Sequence, residues 1–284
     1  MRDVFEDFLI AGEEIDELNS EGFFGLEAKE LLMKRDGMNT SQYLYKSIEM
    51  WLESNSDKAQ TKHLIKIFFR LYINSLKVNP QKVIDILDAF WRGTSDQPHI
   101  EGLSAYTEFS RLFTEAKESL NDSTLGTSAA TKRRATSNIS NTYSKGVEFI
   151  GKTLVNLIAI AQVANKDNIN MYKDSKLTLF EKVEKFNELT NDQYSELTDI
   201  VNRYVRNAEA HLSLTFSTTR RKFILRKRDS GKLVNDYITI DEMLLNLFPS
   251  VGAYAQAFVY SGSLLVIAFD DNELFKKTIN EIYN

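Results

Sequence analysis

Apolar residues recur at spacings of three and four along most of this 284-residue chain, and only three prolines interrupt them, at Pro80, Pro98 and Pro249. That spacing gives each segment one apolar stripe, the pattern of a core-facing helix rather than a strand. Proline breaks or kinks a helix interior, so a chain with few of them has room for long helices. An all-α fold is expected. In the first half the pattern predicts helices near 3–19, 26–35, 40–54, 57–77, 80–92 and 101–120, with Pro80 and Pro98 near the breaks. In the second half it predicts helices near 141–165, 176–189 and 192–212. Two or more further helices follow, the first opened by a capping box at Thr239-Ile240-Asp241-Glu242 and the last starting at Asp270 or Asp271.

The run from Ser123 to Asn138 has few large apolar residues and reads as a mobile linker. The expected organisation is an N-terminal helical domain over 1–122, a linker over 123–140 and a second helical domain over 141–284. Lys132, Arg133 and Arg134 in the linker are either solubilising charges or a further contact for a polyanion. Residues 1–40 hold eleven acidic and four basic residues, a solvated helical face or a partner site. Asn246 to Phe269 carries no charge and is long enough to span a bilayer. Pro249, Gln256, Ser261, Gly262 and Ser263 interrupt it, and acidic residues follow instead of a basic anchor. A buried helix is therefore expected, with no membrane span.

Composition removes several chemistries. There is no cysteine, which excludes disulfides, thiol nucleophiles and thiolate metal sites. The three histidines, His63, His99 and His211, stand far apart and form no H-x-x-x-H pair, so no histidine-built metal site is expected. No glycine-rich phosphate loop is present, and no cofactor is expected. The acidic start of the chain lacks the apolar core of a secretory leader, so cytoplasmic residence is expected.

One constellation carries chemical content: Arg206-Asn207-Ala208-Glu209-Ala210-His211, at the end of a predicted amphipathic helix striped by Leu197, Ile200, Val201, Tyr204, Val205, Ala208 and Leu212. Histidine alone has an unperturbed pKa suited to moving protons near neutrality. An arginine fork is permanently charged and matches a phosphate. Together they supply what cleavage of RNA by its own 2′-hydroxyl needs, without metal or nucleotide. Asn207 would orient the imidazole or bond the phosphate or ribose. In a regular helix Asn207 and His211 lie one turn apart, while Arg206 lies roughly 140° from His211. Either the helix breaks between them or the arginine of one copy works beside the histidine of another. The bland alternative pairs Arg206 with Glu209 or Glu196 and leaves His211 closing the helix.

The next segment supplies a footprint. Arg203, Arg206, Arg220, Arg221, Lys222, Arg226, Lys227, Arg228 and Lys232 face only Glu209 and Asp229, a local charge of +7 in a chain of net −5. Residues 222–227 and 232–239 read as two short strands around Asp229-Ser230-Gly231, a basic hairpin beside the motif that suits a phosphate backbone. A charged edge that blocks sheet-to-sheet pairing is the alternative.

The motif R-N-x-x-x-H at a helix end resembles the R-x(4–6)-H motif of the HEPN superfamily, with the polar residue that its ribonucleases usually carry after the arginine. The resemblance implies a helical bundle over roughly 140–284, a homodimer with both motifs lining one cleft, and Arg206, Asn207 and His211 as the catalytic residues. It implies a metal-independent endoribonuclease of toxin–antitoxin, abortive-infection or other antiviral defence systems, with RNA as substrate and an antitoxin or activating protein as a possible partner. Ser213 stands where the subgroup regulated by a partner nucleotidyltransferase carries tyrosine, so the resemblance does not extend to that regulation. Two other classes compete: an RNA-binding or signalling module that cuts nothing, and a helical scaffold without a nucleic-acid role.

Overall fold

The computed structural model describes residues 5–54, 58–125, 128–210, 214–229 and 232–284. The chain is all-α with one small sheet. Among the described residues, six α-helices build the first part: α1 (Glu6–Glu21), α2 (Leu26–Met33), α3 (Thr40–Glu53), α4 (Ala59–Leu76), α5 (Pro80–Arg92) and α6 (Leu103–Leu125). Their starts follow local chemistry. Asn39 caps α3 in a full capping box with Gln42, and Asn79 caps α5 with Pro80 in the first turn, where its missing N–H costs nothing.

The central element is α7 (Ala129–Asn165), 37 residues long. It begins twelve residues earlier than the sequence pattern indicates. The segment expected as a linker over 123–140 instead lies mostly in the end of α6 and the start of α7, which Ser128 caps by accepting from the Thr131 amide at 3.1 Å. Ala135, Thr136, Ile139 and Ser140 are buried there. Small and hydroxyl-bearing side chains let α6 and α7 approach closely, and the same side chains made the run look solvated. Lys132, Arg133 and Arg134 are exposed on the other face.

Farther along, α7 is buried on nearly every side, with Val147, Ile150, Leu154, Leu157, Ile158 and Ile160 all inaccessible. A helix apolar all round needs partners all round. It packs on α4, α5, α6, the short α8 (Met171–Ser175) and two later helices, α9 (Leu179–Thr190) and α11 (Phe248–Asp270). One hydrophobic cluster therefore runs from Tyr45 in α3 to Ile282 in the last helix, α12 (Asn272–Tyr283). The two halves expected as separate domains share it. Phe68 of α4 meets Tyr254 and Phe258 of α11 at centroid distances of 5.2 and 5.7 Å. Gly146 lets α6, α7 and α11 approach closely: a Cβ there would lie 2.7 Å from Val251 and 2.8 Å from Phe109. Buried polar groups cross the same seam. The Tyr254 and Thr153 hydroxyls are 2.6 Å apart, and Asn156 donates to the Ile86 carbonyl at 2.8 Å.

The uncharged stretch 246–269 is a partly buried helix. A π-helical turn, Glu242–Leu247, runs directly into α11. The wider turn accommodates Pro249, which lacks an N–H and would crowd the carbonyl four residues back in a regular helix. The helix continues through Ser250, whose hydroxyl donates to the Leu247 carbonyl. The expected capping box at Thr239 is half formed: Thr239 accepts from the Glu242 amide at 3.0 Å, while the Glu242 carboxylate accepts from Asn246. Among the described residues, two helices, Ala129–Asn165 and Glu242–Asp270, are long and apolar enough to cross a membrane, with 83% and 56% of their most apolar stretches buried inside the fold.

Candidate functional site

The motif helix is shorter than its apolar stripe suggests. Residues 192–202 form turns and a 3-10 segment, Ser195–Leu197, and the described helix α10 spans Arg203–Ala210. Asn191 and Asp192 both take left-handed backbone conformations, which stops α9 and redirects the chain. Leu197 and Ile200 are still buried, but from the connecting segment. Asn202 then starts α10, its side chain accepting from the Tyr204 and Val205 amides at 3.1 and 3.2 Å. A buried strut fixes this start. The Tyr143 hydroxyl of α7 accepts from the Asn202 amide at 2.8 Å and donates to the Ile200 carbonyl at 2.9 Å.

Arg206 and Asn207 sit on the outer side of α10. Arg206 Nη1 donates to Asn207 Oδ1 at 3.0 Å, and Asn207 is exposed. Arg206 also ion-pairs with Glu148 of α7, Nε donating to Oε1 at 2.6 Å and Nη2 contacting the same oxygen. This replaces both expected structural pairings. Glu196 instead bonds His63 Nε2 at 2.6 Å. Glu209 is half-buried, and burial raises its carboxyl above the ordinary glutamate value while Ser140 pulls the other way. His211, the expected proton-transfer group, lies outside the described residues, as does Ser213. The described helix ends at Ala210.

Other cations stand near. Lys182 of α9 donates to the Gly151 carbonyl at 3.2 Å. Burial pushes its ammonium below the ordinary lysine value, against the pull of Glu148 and Asp174. Arg203 lies over the Phe180 and Tyr204 rings. Nothing in the sequence spacing points to Glu148, Lys182 or Phe180, because each comes from a helix far from the motif in the chain.

Against α10 packs an antiparallel sheet in the order β1 (Leu214–Ser217), β2 (Lys222–Asp229), β3 (Lys232–Thr239). The expected hairpin is β2–β3, paired from Lys222↔Thr239 to Asp229↔Lys232. The four-residue strand β1 is an addition that sequence reasoning missed. Alternation along β2 decides which cations face out. Phe223 and Leu225 are buried, while Lys222 and Arg226 are exposed. Lys222 lies 5.9 Å from the Tyr237 ring centroid across the strand pair. Arg220 and Arg221 are exposed in the β1–β2 turn, where Arg221 has a φ of +51°. The side chains of Lys227 and Arg228 lie outside the described ones.

A concave feature of about 510 Å³ lies between α4, residues 196–200 and the π-helical turn. Its carboxylates are Glu196, Asp199 and Glu242, with His63 beside Glu196. Among the described residues, no group of three or more His, Cys, Asp or Glu side chains is arranged to hold a metal ion. No family model, curated protein or solved structure matches this chain.

Proposed function

We propose that this chain is a metal-independent endoribonuclease of the HEPN type, with Arg206, Asn207 and His211 as its catalytic residues. The observation that carries the reading is the bonded Arg206–Asn207 pair, at the surface of α10 next to a sheet that displays Lys222 and Arg226. A fixed amide beside a guanidinium orients its fork, and a phosphodiester bound there would have its developing charge stabilised.

The reaction is a transesterification. The ribose O2′–P bond forms and the P–O5′ bond breaks. A base removes the 2′ proton, and a proton is delivered to the departing 5′ oxygen. His211 would move one of these protons and Arg206 would hold the non-bridging oxygens. The products are a 2′,3′-cyclic phosphate and a 5′-hydroxyl. Resemblance alone supports the setting: a cytoplasmic homodimer in prokaryotic antiviral defence or a toxin-like system, restrained or activated by a partner protein. A second reading, an RNA-binding module that cuts nothing, is favoured by the Glu148–Arg206 ion pair, which occupies the motif arginine while Lys222 and Arg226 of the sheet still face outward.

The deciding experiment is incubation of wild-type, Arg206→Ala and His211→Ala proteins with a mixed RNA in EDTA. Cleavage by the wild type alone, with cyclic-phosphate ends, is the expected outcome. Equal cleavage by either variant would remove that residue from the site. Salt-sensitive binding without cleavage would select the second reading.

A further inference from the structure

We propose that Phe180, Arg203 and Tyr204 form a stacking ledge that seats an unpaired nucleobase beside Arg206, making the substrate of this site single-stranded RNA; this rests on the ribonuclease reading above. The Arg203 guanidinium lies 4.9 Å from the Phe180 ring centroid and 5.0 Å from that of Tyr204, and its Nη2 donates to the Tyr204 hydroxyl at 3.1 Å. Phe180 comes from the first turns of α9 and the other two from the first turn of α10, so three planar groups from two elements meet at the surface.

Phe180 and Tyr204 are 45% and 44% exposed, and neither belongs to the hydrophobic cluster or to the side chains packed against it. Each residue thus keeps nearly half its surface open to solvent. Exposed rings in company with a cation are the composition of single-strand binding sites, where every base has a π-face to offer and arginine adds a planar charge.

Position supplies the second argument. Arg203, Arg206 and Asn207 are three and four residues apart, so they share one face of α10. The ledge is thus one helical turn, about 5 Å, from the guanidinium proposed to hold the phosphate. A nucleotide whose base lies on the ledge would place a neighbouring phosphate within reach of Arg206. A duplex cannot use the ledge, because its bases are stacked on one another. An apolar protein docking patch is the less favoured occupant, since the rings carry Arg203 between them and lie beside the Arg206–Asn207 pair.

The test is RNA binding by the full chain carrying His211→Ala, read by fluorescence anisotropy. The probes are an unstructured RNA of about ten nucleotides, its abasic counterpart and a blunt RNA duplex. Phe180→Ala and Tyr204→Ala should each weaken binding of the single strand about tenfold while leaving the abasic strand unchanged, and Tyr204→Phe should bind as the parent does. Unchanged single-strand affinity in both alanine variants, or equal losses on the abasic strand, would overturn the ledge and leave the ribonuclease reading standing. Failure of the parent protein to bind any of the three at low salt would overturn that reading and the ledge together.

Discussion

Arg206 and Glu148, 58 residues apart in the chain, are joined by an ion pair in which the Arg206 Nε donates to Oε1 at 2.6 Å. The guanidinium edge that would meet a phosphate thus already faces a carboxylate. An incoming phosphodiester must displace Glu148 or share the arginine with it.

Replacing Glu148 by glutamine should therefore tighten RNA binding, by up to about fivefold, the range that an exposed ion pair can contribute. Fold stability should change by less than about 1 kcal/mol for the same reason. Titration of labelled RNA at low and high salt checks this. Weaker binding would show instead that Glu148 holds Arg206 in its working orientation.

The outward cations of β2 make a separate prediction. Each of Lys222→Ala and Arg226→Ala removes one phosphate contact and should lower the slope of log affinity against log salt by about 0.7 for a single strand. The sheet should stay intact, because both side chains are exposed and Phe223 and Leu225 supply its buried face. An unchanged slope in both variants would place RNA elsewhere.

Tyr143→Phe tests the strut under α10. The substitution removes one hydroxyl and leaves the Asn202 amide and the Ile200 carbonyl without it. The cost should be about 1–3 kcal/mol, read from denaturant unfolding. Cleavage should fall by more than the unfolded fraction explains, since Asn202 sets where the motif helix begins. Full activity in the folded variant would show that the site tolerates a loosened start.

Glu209 predicts a pH dependence. Burial raises its carboxyl in the folded protein, so the folded state binds the proton more tightly than the unfolded state does. Between the ordinary glutamate value and the raised one, stability falls as pH rises, because the folded protein must then carry a buried charge. Glu209→Gln should raise the melting temperature at pH 7 and leave it nearly unchanged at pH 4, where both side chains are neutral. A lower melting temperature at pH 7 would mean that the carboxylate makes a stabilising contact there.

Much of the fold was legible because periodicity is local. Helices α3 and α5 stand almost where apolar spacing and the Pro80 break put them, and the β2–β3 hairpin follows from alternation around Asp229-Ser230-Gly231. The misplaced linker has a specific cause. Ala135, Thr136 and Ser140 are small and weakly apolar, so nothing in their chemistry reports that α6 lies against them. The overlong motif helix has another. Leu197 and Ile200 keep helical spacing with Ala208, yet the left-handed residues Asn191 and Asp192 and the Asn202 cap break the helix before it starts.

By itself, then, the sequence determined the helical class, most element positions, the Arg206–Asn207 adjacency and the cationic character of the strands, because each depends on residues within a few turns of one another. Tertiary structure decided what those residues meet. Only packing places Glu148 of α7 against Arg206, Phe180 of α9 against Arg203, and Tyr143 beneath Asn202. The reason is the burial of α7 on nearly every side. Covering it draws helices from both ends of the chain into one core, and that arrangement sets which distant side chains line the motif.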